Sequence, residues 1–133
     1  GGDDPTRFFA GQGNDLIDAG GGNDTVGGNA GFDTIIGGAG DDLLFGDFNA
    51  DTFVFADGHG NDTVADFDAI NALEQIDLSG VSGLTLGDLN LASTTLGAAT
   101  QVGGDVLIDT GGGNSILLTG VNIGDLDAGD FVF

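Results

Sequence analysis

At 133 residues the chain has the length of one modest domain, and its 22 acidic residues against a single cation, Arg7, give a formal net charge of −21. A chain so poor in cations cannot displace counterions from phosphates, which excludes nucleic acid and anionic membrane surfaces as partners. It has no cysteine for disulfides or thiolate metal sites, and no run of about 18 apolar residues that would cross a membrane as a helix.

Such acidity with few aromatics points toward disorder, yet 40% of the residues are hydrophobic and they fall in step with the acids. From Gly1 to Val54 six nine-residue blocks run in unbroken register: GGDDPTRFF, AGQGNDLID, AGGGNDTVG, GNAGFDTII, GGAGDDLLF and GDFNADTFV. Position six reads Thr6, Asp15, Asp24, Asp33, Asp42, Asp51, and position eight reads Phe8, Ile17, Val26, Ile35, Leu44, Phe53. The chain opens on position one of a block without an initiator methionine, so more chain is expected before Gly1.

Within each block the first six residues are turn material. Glycine stands at position two in Gly2, Gly11, Gly20 and Gly38 and at position four in Gly13, Gly22, Gly31 and Gly40, where it permits positive φ and close backbone approach. The last three residues, as in Leu16-Ile17-Asp18 or Thr34-Ile35-Ile36, predict a short strand with its middle side chain inward. One such unit cannot bury its own apolar residue, so the units are expected to stack, two to a turn, as a flattened parallel solenoid.

Stacking places alternate blocks on the same edge and pairs Asp15 with Asp33, Asp24 with Asp42, and Asp33 with Asp51. Like charges stacked in this way repel unless a cation lies between them, so the aspartates read as ligands rather than as solvated turn residues. Calcium takes roughly six to eight oxygen ligands at 2.3–2.6 Å in tolerant geometry, which two carboxylates and flanking turn carbonyls supply. Magnesium demands a stricter octahedron, and zinc and copper want imidazole or thiolate, for which only His59 is present.

After Val54 the register slips by two residues, and Asp57-Gly58-His59-Gly60-Asn61-Asp62-Thr63-Val64-Ala65 reads as one more unit displaced by Phe55-Ala56. Asp62 is thereby expected opposite Asp42, completing a further site. His59, alone in a glycine-rich turn, reads as a surface turn residue, and Arg7 as a solvated side chain. From Gly80 the period yields to alternation, which predicts strands at Gln101-Val102, Asp105–Asp109 and Ser115–Thr119, the last two joined by a turn over 110–114. Asp105 and Asp109 share one strand face and read as solvent-facing rather than as a hydrolytic pair. Ile76–Val81 is similar to Ile116–Val121, and each precedes a Gly-Asp-Leu, which suggests an internal duplication.

The blocks, AGQGNDLID and GGAGDDLLF above all, resemble the GGxGxDxUx repeats of the RTX proteins, a calcium-dependent family that includes serralysin-like metalloproteases, pore-forming toxins, lipases and alginate epimerases. The resemblance implies an all-β fold: a right-handed parallel β-roll, or β-solenoid, over residues 1–65, with a C-terminal antiparallel β cap over 66–133. It also implies about three to five Ca2+ ions held by Asp15, Asp24, Asp33, Asp42, Asp51 and Asp62 with the turn residues Gly11, Gly13, Gly20, Gly22, Asn29, Gly31, Gly38 and Gly40. Block one departs from the pattern with Asp4, Pro5 and Thr6, so its half-site is expected to be weak or empty. Asn29, Asp47 and Asn49 stand where glycine is usual, and both residue types tolerate the left-handed region.

Asp66-Phe67-Asp68 and Gln75–Ser79 look like the DF…IDLS stretch that closes serralysin-type rolls, and Asp130-Phe131-Val132-Phe133 is similar to the ending of an uncleaved type I secretion signal. The function implied is a non-catalytic calcium-binding module that folds on meeting extracellular calcium after type I secretion. Its partners would be calcium ions and the secretion machinery, and its location extracellular or at the cell surface. Two other classes stay open. The chain can be the C-terminal part of a secreted enzyme, a serralysin-like zinc protease or a polysaccharide-modifying enzyme, with its catalytic domain upstream. It can also be an acidic surface or matrix protein that self-associates through strand edges at the Gly1 end. The chain itself shows no catalytic constellation.

Overall fold

The nine-residue period is realised as three-residue strands separated by six-residue turns: β1 (Arg7–Phe9), β2 (Leu16–Asp18), β3 (Thr25–Gly27), β4 (Thr34–Ile36) and β5 (Leu43–Phe45). In the computed structural model, which describes residues 4–69, 71, 73–90 and 97–133, these continue as β6 (Thr52–Ala56), β7 (Asn61–Val64) and β8 (Gln75–Gly80). Gly1 and Gly2 of the first block lie outside the described residues.

Alternate strands pair in parallel. The odd strands form one sheet in the order β1-β3-β5-β7, and the even strands form a facing sheet in the order β8-β6-β4-β2. Together they make a β-solenoid of about 4 turns. The expected stacking is met residue by residue: Ile17 lies beside Ile35, Ile35 beside Phe53 and Phe53 beside Ile76, while on the other sheet Phe8, Val26, Leu44 and Val64 align. These inward residues form the core. Val26, Ile35, Leu44 and Phe53 are fully buried, whereas Phe8 is only partly covered because no strand lies beyond β1 among the described residues. Each fully buried aliphatic or aromatic side chain contributes about 1.5–3 kcal/mol, so the ladder of core residues holds the turns in register.

The two inserted residues, Phe55-Ala56, lengthen β6 to five residues, and its pairing with β8 carries a register shift between Val54 and Ala56. Beyond it the two similar stretches play matching parts. β8 extends the even sheet on β6, and β11 (Asn114–Leu118) extends the odd sheet on β7, both in parallel. β11 is the changeover strand, since its other edge pairs antiparallel with β10 (Asp105–Gly111), which pairs in turn with β9 (Ala99–Val102). The β10–β11 turn is tighter than the sequence suggests: Gly111 already pairs with Asn114. A short final strand, β12 (Phe131–Val132), closes the even sheet against β8.

Candidate metal centre

Position six lies two residues before the inward core residue of each strand, and side chains two apart on extended backbone share a face. The aspartates are therefore drawn beneath their turns: Asp24, Asp33, Asp42, Asp51 and Asp62 are all buried. Each of these carboxylates uses Oδ1 to accept a backbone N–H from the preceding coil. Thr6 donates to Asp24 at 2.7 Å and Asp24 to Asp42 at 2.9 Å, with Asp42 donating to Asp62 at 2.9 Å. On the opposite edge Asp15 donates to Asp33 at 2.8 Å and Asp33 to Asp51 at 2.9 Å.

The second oxygens are different. Oδ2 of Asp15, Asp24, Asp33, Asp42 and Asp51 is buried with no hydrogen-bond partner. A buried anionic oxygen left unpaired is costly, and native structures hold few such atoms. Burial pushes the Asp42 carboxyl up to about 6 and the Asp51 carboxyl up to about 7, against the backbone N–H each accepts. Neighbouring carboxylates add to the rise, Asp62 and Asp24 for Asp42, and Asp33, Asp66 and Asp47 for Asp51.

The turn glycines are brought together across coils as Gly13 with Gly31, Gly20 with Gly38, and Gly22 with Gly40. At Gly40, φ is 119° and a Cβ would overlap the carbonyl oxygen of Gly22; at Gly38 it would overlap that of Gly20. Backbone oxygens thus crowd the same edges as the orphaned carboxylate oxygens. Gly11 is different, with open space around it. Asn29 adopts φ 69° as a glycine substitute; its carbonyl accepts from Phe48 at 2.8 Å, and its side-chain amide donates to the Ala10 carbonyl.

No group of three or more His, Cys, Asp or Glu side chains is placed to hold a metal ion by itself among the described residues. The donor set is instead one carboxylate per turn with backbone carbonyls, all hard oxygen, which fits calcium and suits neither zinc nor copper.

Several residues escape sequence reasoning. Gln75 N donates to the Asp51 carbonyl at 2.9 Å, so buried Glu74 stands in the ladder next to Asp51. Burial pushes its carboxyl up to about 8, with Asp51, Asp66 and Asp68 adding to the rise, while Oε1 accepts from Asp68 N at 3.2 Å. The signal was the carboxylate-x-apolar order of Glu74-Gln75-Ile76, hidden by the longer preceding loop. Asp66 accepts from the amides of Gly46 at 2.9 Å and Asp47 at 2.8 Å. The position-one glycines matter too: a Cβ on Gly28, Gly37 or Gly46 would overlap Oδ2 of Asp33, Asp42 or Asp51 respectively.

His59 is not the surface residue its turn composition suggests, being only 4% exposed. The inserted Phe55-Ala56 frees the next turn to close on itself, with His59 N donating to the Ala56 carbonyl at 3.2 Å and Gly58 at φ 78°. The ring swings inward, edge-on to Phe55 with centroids 5.2 Å apart. Nδ1 lies 2.6 Å from Asp62 Oδ2 and Nε2 lies 2.7 Å from Thr110 Oγ1 on β10. Burial pushes the Asp62 carboxyl up, and the His59 hydrogen bond opposes it. Carboxylate, imidazole and hydroxyl here tie the last coil to the cap.

Comparison with known proteins bears on this geometry. The sequence model for the RTX calcium-binding nonapeptide repeat, four copies long, matches residues 1–35, 19–53 and 27–64. A search of curated proteins returns no match. Among solved structures, the AlgE6R3 subunit of the Azotobacter vinelandii mannuronan C5-epimerase is 30% identical with a TM-score of 0.72, over 99% of this chain and 80% of that one. The AlgE6R2 subunit of the same enzyme is 25% identical with a TM-score of 0.66, over 98% of this chain and 88% of that one. The extracellular lipase LipA of Serratia marcescens is 27% identical with a TM-score of 0.59, over 93% of this chain but only 20% of the lipase. With the repeat in register, the carboxylates in ladders and a likeness running nearly end to end, the chain belongs to the RTX calcium-binding nonapeptide-repeat family.

Proposed function

We propose that the chain is a calcium-binding folding module whose ions are held on both edges of the roll by Asp15, Asp24, Asp33, Asp42 and Asp51, with carbonyls of the stacked turns completing each shell. The observation that carries this reading is the set of five buried Oδ2 atoms without partners. Bound calcium would supply positive charge to those oxygens. The chain's own part is to aim them: Oδ1 fixes Asp24, Asp33, Asp42 and Asp51 to the coil before each, and glycine at the close approaches lets carbonyls face the same edge. Glu74 extends the even-edge row beyond Asp51. About three to five ions follow from this donor set.

Binding energy then becomes folding energy. At free calcium tenfold above its dissociation constant each site contributes roughly 1.4 kcal/mol, so four sites give on the order of 5–6 kcal/mol, much of a typical domain's stability. In a calcium-poor cytosol that contribution vanishes and the acidic chain stays unfolded, ready for type I secretion; outside the cell it folds. Residues 1–65 would form the calcium-dependent roll and 66–133 the cap with its terminal export signal. The test is circular dichroism and thermal melting with calcium and with excess chelator. Strand content that rises with calcium is expected, and a signal indifferent to chelator sinks the reading.

A second reading has support of its own. The chain aligns with one fifth of the lipase and with a subunit of an epimerase, so it also suits the C-terminal module of a secreted enzyme. Intact mass of the native product decides between them, because a catalytic parent would be several times larger. The β1 and β2 edges, with exposed Phe9 and Leu16, further favour association with another coil, which light scattering on calcium addition would detect.

A further inference from the structure

The ladder aspartates fall into two groups by what their second oxygen meets. Five have Oδ2 buried without a partner, while Asp62, equally buried and bound through Oδ1 to Asp42 N in the same manner, has Oδ2 engaged by His59 Nδ1 at 2.6 Å. We propose that His59 takes the place of a metal ion at Asp62, so that the ladder on this edge ends at Asp42 and Asp62 is a structural carboxylate rather than a calcium ligand. The inference rests on the calcium reading of the other five aspartates.

Three observations converge on this stop. The imidazole is fixed from its far side by Thr110 Oγ1 at 2.7 Å, so the cap itself holds the ring in place. The next residue in register above Asp62 is Ile116, so the odd row offers no further carboxylate to share an ion. The turn also breaks the ladder's backbone pattern. Ala39 N donates to the Gly20 carbonyl on the coil before at 2.9 Å, whereas His59 N donates within its own turn to Ala56. The close approach of Gly60 to the Gly40 carbonyl is kept, so it is the His59 amide that has left the cross-coil pairing. With Asp62 ionised, Nδ1–H is the donor that satisfies the oxygen. The chain thereby closes its metal row on this edge with its single histidine.

The experiment counts calcium at the plateau of equilibrium dialysis for wild type, Asp62→Asn and Asp33→Asn. In Asp62→Asn the new amide keeps an oxygen for Asp42 N and can donate to His59 in its other tautomer, so this variant is expected to hold the wild-type number of ions. Asp33→Asn is expected to hold at least one fewer. Loss of an ion from Asp62→Asn overturns the stop. If Asp33→Asn also keeps every ion, or wild type binds none, the ladder reading itself fails and this inference falls with it. A second measurement needs no variant: the lone histidine gives unambiguous 15N ring signals. A hydrogen-bonded Nδ1–H that persists to calcium saturation supports the proposal, and its disappearance during the titration overturns it.

Discussion

Asp33 takes the backbone amide of Asp15 on Oδ1 at 2.8 Å while leaving its own Oδ2 buried and unpaired. One oxygen of the carboxylate therefore builds the solenoid and the other is reserved. The division separates two effects that a single substitution would otherwise confound, because asparagine preserves the first oxygen and removes the charge needed at the second.

Asp51→Asn should accordingly change sign with calcium. Burial raises the Asp51 carboxyl to about 7, so at pH 8 the metal-free protein bears an ionised group it disfavours. The asparagine variant keeps the acceptor for Asp33 N and is expected to be at least as stable as wild type in chelator. At free calcium tenfold above its dissociation constant it should be about 1.4 kcal/mol less stable, the linkage contribution of one site. Urea denaturation under both conditions reads this, and equal destabilisation in both would reject it.

Acid should stabilise the chelated protein. Asp42, Asp51 and Glu74 are raised to about 6, 7 and 8 by burial, from ordinary values of 3.8 and 4.5. Between those limits the folded state binds more protons than the unfolded one, so stability falls as pH rises through the window. Lowering the pH from about 8.5 to about 5.5 in chelator is expected to increase strand signal in circular dichroism, while protons compete with calcium in the loaded protein. A chelated chain that loses structure over this range contradicts the assignment.

Glycine replacements should divide by position. Gly40 combines φ 119° with a Cβ position that overlaps the Gly22 carbonyl, so Gly40→Ala is expected to cost about 2 kcal/mol or more in the calcium-loaded state and to weaken calcium binding. Gly11 has open space around it, so Gly11→Ala should stay within about 0.5 kcal/mol of wild type. Paired thermal melts and calcium titrations test the contrast, which disappears if the turns merely need flexibility.

The sequence made legible whatever the period governs. Core residues such as Ile35 and Phe53, the pairing of alternate blocks and the antiparallel β10–β11 hairpin follow from spacing and alternation alone. What stayed hidden lies where the period is broken. Glu74 keeps the register in space but not along the chain, because a longer loop separates it from Asp51. His59 turns inward where two inserted residues let its amide pair within its own turn, with the Ala56 carbonyl, an effect that residue composition does not encode. The position-one glycines were visible in the blocks, but their role rests on where the aspartate Oδ2 points.

Thr110→Val should isolate the junction between last coil and cap. Valine matches threonine in shape but removes the hydroxyl that meets His59 Nε2, leaving a buried ring nitrogen without its partner. The expected cost is about 1–3 kcal/mol, the penalty for an unsatisfied buried polar group. Because this contact lies on the far side of the ring from Asp62, the loss should be similar with and without calcium and should leave the number of bound ions unchanged. Thr110→Ser, which restores the hydroxyl, should recover most of the stability. A loss confined to the calcium-loaded protein would instead place Thr110 in the metal-binding machinery and contradict the clasp.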